Sequence, residues 1–123
     1  RLGFAIGDPK LIDALRQRLG PWPVSGVALK IGAAALTDTT WSAQTRARLA
    51  TDAERLDQLM QRKNARPMGA CPLFRTYEVA DATQLHRHLA QRKIWTRVFP
   101  YSQTWIRLGL PPQDQWERLE AAL

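Results

Sequence analysis

The chain has few of the residues on which recognisable chemistry is most often built. Cys71 is its only cysteine among 123 residues, which excludes an internal disulfide and suits a reducing compartment such as the cytoplasm. No candidate base lies near it in sequence, so it reads as a small buried or half-buried side chain. Two histidines are present, His86 and His88. Two positions apart on an expected helix, they project about 200° apart around the axis and cannot grip one ion. With no Cys or carboxylate at ligand spacing beside them, they read as surface histidines, and no metal site is expected. Glycine-rich phosphate loops, nucleophile elbows and paired-carboxylate constellations are missing too. No apolar run approaches the roughly 20 residues that cross a bilayer. The opening Arg1-Leu2-Gly3-Phe4-Ala5-Ile6 lacks the basic-then-apolar pattern of a signal peptide. It also lacks an initiating Met, and reads as the middle of a longer chain.

What is present is ordinary for a globular protein: 45% hydrophobic and 24% charged residues, at a length that supports a real core. The net charge of +7 raises the question of nucleic acid. The cations, however, are scattered from Lys10 to Arg118 and interleaved with Asp52, Glu54, Asp57 and Glu117. No dense basic run forms, and an arginine-rich solvated surface is the simpler reading; neither nucleic acid nor membrane is expected as a partner.

Leu2 to Ile6 reads as a buried strand. Asp8 before Pro9 opens a helix that turns Leu11, Ile12, Leu15 and Leu19 inward and stops at Gly20-Pro21. Ser25 starts a second helix, rich in Ala and Gly, whose composition suggests close packing against backbone. From Asp38 to Asn64, Trp41, Thr45, Leu49, Ala53, Leu56 and Met60 recur at helical spacing. A helix of that length spans about 39 Å at 1.5 Å per residue and suits a connector between lobes. Arg66-Pro67-Met68-Gly69 breaks it. Beyond lie a strand (Leu73 to Val79), a helix (Ala82 to Arg92), two strands joined by a turn at Pro100 to Gln103 (Ile94 to Phe99 and Thr104 to Leu110), and a helix from Pro112 to Leu123. The fold class is α/β, with an α+β C-terminal lobe preceded by a strand and helices of something larger.

Two strands draw attention. Alternation by twos puts Trp95, Arg97 and Phe99 on one face, and Trp105, Arg107 and Gly109 on one face. A guanidinium fixed on a strand beside an aromatic wall suits bidentate capture of a carboxylate or phosphate, and Gly109 leaves room for a ligand. Solvent-facing arginines stacked on the tryptophans would give the same pattern. Arg75 shares a face with Leu73, Tyr77 and Val79 and is read as structural.

Four ordered blocks carry a family resemblance: Arg1-Leu2-Gly3-Phe4-Ala5, Gly20-Pro21-Trp22-Pro23-Val24-Ser25-Gly26, Pro72-Leu73-Phe74-Arg75 and Trp105-Ile106-Arg107-Leu108-Gly109-Leu110-Pro111. They resemble the C-terminal part of fold-type I pyridoxal-phosphate (PLP) enzymes. The nearest likeness is to the histidinol-phosphate aminotransferase group, and within it to the cobalamin-pathway branch of threonine-phosphate decarboxylase. The resemblance implies the aspartate-aminotransferase fold. Residues 1–37 would end the PLP-binding large domain, 38–64 form an interdomain helix, and 65–123 make the small domain, an antiparallel-rich sheet with helices on one side. Arg1 would contact the PLP phosphate, Arg107 would bind the substrate carboxylate, and Arg97 would approach a substrate phosphate. The lysine that carries the cofactor, the aspartate at its pyridine nitrogen and the groups stacking on its ring would precede Arg1. The chain alone is therefore expected to be inactive, as part of a cytoplasmic, homodimeric enzyme acting on an amino acid that bears a phosphate. The favoured substrate is O-phospho-L-threonine, handled by decarboxylation or transamination. A histidinol-phosphate-type aminotransferase and a non-catalytic module holding a small anion are the alternative readings.

Overall fold

A computed structural model describes residues 2–123, the side chain of Ala70 apart. The chain divides into two compact units, residues 1–42 and 43–123.

In the first unit, helices α1 (Pro9–Leu19) and α2 (Gly26–Thr37) begin where the local chemistry demands. The Asp8 carboxylate accepts from the Lys10 amide at 2.9 Å, with Pro9 in the first turn. The Ser25 hydroxyl accepts from the Ala28 amide at 3.2 Å. Gly20, at φ 75°, ends α1 in a conformation that L side chains rarely adopt. Residues 2–6 join no ladder, so the expected buried strand does not form among the described residues: a strand needs a hydrogen-bonded neighbour, and none lies among them. Phe4 is 73% and Ile6 99% exposed. Leu11, Leu15 and Leu19 are exposed as well and Ile12 is only half-buried, so the described residues cover little of the inward apolar face expected for α1. Periodicity reports which face is apolar, not whether anything covers it. The small residues of α2 do receive a neighbour, because Leu2 sits where a side chain at Gly32 would project.

Within this chain neither α1 nor α2 buries a residue among those described, so here their stability rests mainly on helix propensity, which is marginal at this length. In hydrogen exchange on this chain, the amides of both helices are expected to exchange early and those of the central sheet only on global unfolding. Comparable protection in both places would contradict this.

Helix α3 (Thr39–Gln61) begins in the last residues of the first unit, and within the second it contributes Ala53, Leu56, Leu59 and Met60 to the core. The sheet comprises β1 (Arg66–Cys71), β2 (Phe74–Glu78), β3 (Arg97–Phe99) and β4 (Ser102–Gly109), antiparallel throughout in the order β1-β2-β4-β3. Helix α4 (Ala82–Gln91) packs on β4 and β3, and a short 3-10 turn leads into α5 (Trp116–Ala122). One sheet face, carrying Tyr77, Ile106 and Leu108, closes over Leu56, Met60, Leu89, Trp116 and Leu119. The helices therefore cover one side of the sheet, and the other side is left to Thr76, Trp105 and Arg107.

β1 was not expected, because Pro67 and Gly69 read as breakers. Both are accommodated by its edge position and by a bulge between them. β3 is shorter than Ile94 to Phe99. The Ile94 amide donates to the Leu89 carbonyl to finish α4, with Lys93 at φ 60°, so pairing starts only at Arg97. Trp95, 82% exposed, lies in the approach to the strand and not on its face.

Candidate functional site

The hairpin β3–β4 brings the two arginines together. Arg97 and Arg107 are directly opposed partners across it, and the β2 residue opposite Arg107 is Thr76. Side chains of opposed residues share a face, so both guanidinium groups lie on the side of the sheet away from the core. Arg107 is half-buried and its guanidinium stands 4.6 Å from the centre of the Phe74 ring. Arg97 is exposed and lies 5.7 Å from the Phe99 ring. The expected wall of Trp105 is replaced by these two phenylalanines, and Trp105 instead meets Tyr101 edge-on at 6.4 Å. Phe74 was missed because its nearness to Arg107 depends on the β2–β4 register, which pairs Phe74 with Gly109.

Both arginines line one groove of about 540 Å³, floored by Gly109 and walled by Phe74, Trp95 and His86. A side chain at Gly109 would meet nothing within 4 Å, so the space beside it is open. Among the described residues neither guanidinium has a carboxylate in ion-pair range, whereas Arg55, Arg66 and Arg75 each have one. The groove also has no acidic side chain in its lining. Two guanidinium groups without carboxylate partners, backed by aromatic rings, have the donor chemistry that suits anionic oxygen. Arg1, the expected contact of a cofactor phosphate, lies outside the described residues.

His86 departs from its reading as a surface histidine. It is half-buried, its Nδ1 lies 2.8 Å from the Thr96 hydroxyl, and its ring meets Trp95 edge-on at 5.0 Å. His88 belongs to the opposite neighbourhood, with Nε2 2.9 Å from the Ala122 carbonyl. Nothing local in the sequence foretold the His86 contact, since it requires α4 to lie beside the Ile94 to Thr96 segment.

Arg75 points to the core side and serves the fold. Its guanidinium grips both oxygens of Asp57 on α3, and the Tyr77 hydroxyl donates to the same carboxylate at 2.6 Å. The hydrogen bond to Asp57 holds the Arg75 guanidinium above its ordinary pKa, against the opposing effect of burial. Tyr77 is pushed well above the usual phenol value, first by burial and next by its bond to the carboxylate. The unfolded chain releases this proton near pH 10.0 while the folded chain keeps it, so the unfolded state binds fewer protons above that pH. The contribution to stability is complete below pH 10.0 and declines as the pH rises beyond it. Alkaline denaturation should be less steep in Tyr77→Phe than in the parent chain; equal pH dependence of the two would count against the assignment.

Comparison with known proteins agrees with this architecture. The family model for aminotransferase class I and II matches residues 1–123. A threonine-phosphate decarboxylase of Pseudomonas aeruginosa is 40% identical over all of this chain and 37% of its own length. One from Sinorhizobium is 34% identical over 96% of the chain and 35% of its own length. Histidinol-phosphate aminotransferase 2 of Gluconobacter oxydans is 30% identical over the whole chain and 37% of its own length. The chain thus spans little more than a third of the relatives it matches. With the match running from its first residue to its last and a helix-backed antiparallel sheet to carry it, the chain belongs to the class I and II aminotransferase family, to which PLP-dependent threonine-phosphate decarboxylases and histidinol-phosphate aminotransferases are related.

Proposed function

We propose that the intact protein is a PLP-dependent enzyme acting on an amino acid that also carries a phosphate, with O-phospho-L-threonine as its substrate. The carrying observation is the opposed pair Arg97 and Arg107, free of carboxylate partners among the described residues and opening onto one groove. The similar proteins support the phosphate, since threonine phosphate and histidinol phosphate both bear one. Threonine phosphate alone of the two also bears a carboxylate, and two cations on adjacent strands answer two anions. A histidinol-phosphate-type aminotransferase is the second reading, favoured by the more distant relatives.

The donor set of the groove suits the anionic groups of such a substrate, and the family resemblance gives the cofactor phosphate to Arg1. PLP, when bound, supplies an electron sink for the bond broken at the α-carbon. Arg107 would hold the substrate carboxylate as a bidentate pair, and Phe74 behind it would limit water and fix the plane of the guanidinium. Arg97, more exposed, would draw in the phosphate. The lysine that carries PLP is not among these assignments, so the 123-residue chain by itself should bind PLP weakly and turn nothing over. A chain that developed the absorbance of a covalent PLP adduct would contradict this. We further infer a cytoplasmic homodimer working in cobalamin biosynthesis. No helix among the described residues is long and apolar enough to cross a membrane.

Supplying the full-length protein with O-phospho-L-threonine and with histidinol phosphate, each with and without a 2-oxo acid to accept the amino group, tests the reading. Turnover of the first, with release of carbon dioxide or of an oxo acid, is the expected result; turnover of histidinol phosphate alone would move the assignment to the second reading.

A further inference from the structure

Besides the two arginines, the groove is lined by two further polar side chains, His86 and Thr96. His86 contributes its ring to the same lining as Arg97 and Arg107, and among the described residues its Nε2 has no hydrogen-bond partner. Its Nδ1 is engaged by the hydroxyl of Thr96, a buried residue at 5% exposure, and Trp95 abuts the ring from the side. A threonine hydroxyl can donate as well as accept. When it donates to Nδ1, the ring proton must reside on Nε2, and the histidine presents an N–H at its free end. An anion in the groove stabilises that arrangement, since it accepts from Nε2–H in a space that carries two arginines and no acidic side chain in its lining.

We propose that His86 is a third anion-binding residue of this groove, donating from Nε2 to the phosphate of the substrate, and that Thr96 is the positioning residue that sets its tautomer. The inference rests on the phosphate-substrate reading and deepens it, because it names a group that separates a phosphorylated amino acid from a plain one. Arg97 supplies charge from an exposed position, whereas His86 supplies a directed donor from a half-buried one. Discrimination of that kind comes from a polar group that loses its partner when the phosphate is absent.

The test uses the full-length protein with histidine-selective isotope labels, titrated with inorganic phosphate and followed by NMR, the two ring signals being assigned with His86→Gln and His88→Gln. The His86 signal should move saturably, while that of His88, turned to Ala122, stays in place. His86→Gln should weaken O-phospho-L-threonine binding about tenfold, roughly one charge-assisted hydrogen bond, and leave threonine binding unchanged. Thr96→Val, close in shape, should redistribute the His86 ring between its tautomers, visible in its nitrogen shifts, and lower phosphate affinity; a purely structural Thr96 would leave both unaltered. If phosphate moves neither signal yet its binding is lost in Arg97→Gln, His86 has no such role and the arginine groove stands. If phosphate does not bind and Arg97→Gln changes nothing, the groove reading fails and this inference with it.

Discussion

Arg107→Gln in the full-length protein should weaken O-phospho-L-threonine binding about 100-fold. A bidentate guanidinium–carboxylate pair in a partly dehydrated site contributes about 2–3 kcal/mol, and 1.4 kcal/mol is tenfold. Glutamine keeps part of the side-chain length and a donor but loses the charge and the fork. The fold should not change, because Arg107 lies on the uncovered face of the sheet and bonds to no other side chain among the described residues. Arg107→Lys should recover little of the loss: an ammonium keeps the charge but cannot form two parallel bonds or lie flat on the Phe74 ring 4.6 Å away. Titration calorimetry with the three proteins measures this, and a lysine variant that binds as well as the parent would show that only net charge counts.

Asp57→Ala should cost the second unit about 3 kcal/mol of stability. The carboxylate accepts from Arg75 twice and from Tyr77 once, so its removal strands a mostly buried guanidinium and a buried phenol together. Asp57 also ties α3 to β2, which borders the strand that carries Arg107. The more exposed pair Arg66–Glu78, across β1 and β2, provides the contrast. Arg66→Ala should cost no more than about 1 kcal/mol, as surface pairs in high dielectric do. Denaturant unfolding of the two variants measures the difference, and equal losses would mean that the Asp57 cluster is no more than another solvated ion pair.

The features legible in the sequence were those set by short-range chemistry. Asp8 and Ser25 cap their helices as their neighbours require, and the stretch from Asp38 onward does form a long helix, capped where Asp38 accepts from the Trp41 amide at 2.8 Å. Alternation along β4 separated Arg107 from Ile106 and Leu108 correctly, and alternation along β2 put Arg75 on the side of Tyr77. Non-local facts were not legible. Whether the Leu face of α1 is covered depends on what packs against it, which its own periodicity cannot state. β1 was lost because Pro67 and Gly69 break most strands, and only an edge position with a bulge tolerates both. Phe74 behind Arg107 and His86 beside Thr96 each come from a different element from the residue they meet. Register and docking create those contacts, and residue type alone does not announce them.

The most direct test of the groove compares two ligands on one variant. Binding of O-phospho-L-threonine and of the phosphorylated amino alcohol that lacks its carboxylate is measured for the parent protein and for Arg107→Gln. The expected ratio of parent to variant affinity is about 100 for the first ligand and near 1 for the second. Equal ratios for both ligands would contradict the account, because residue 107 would then not be holding the carboxylate.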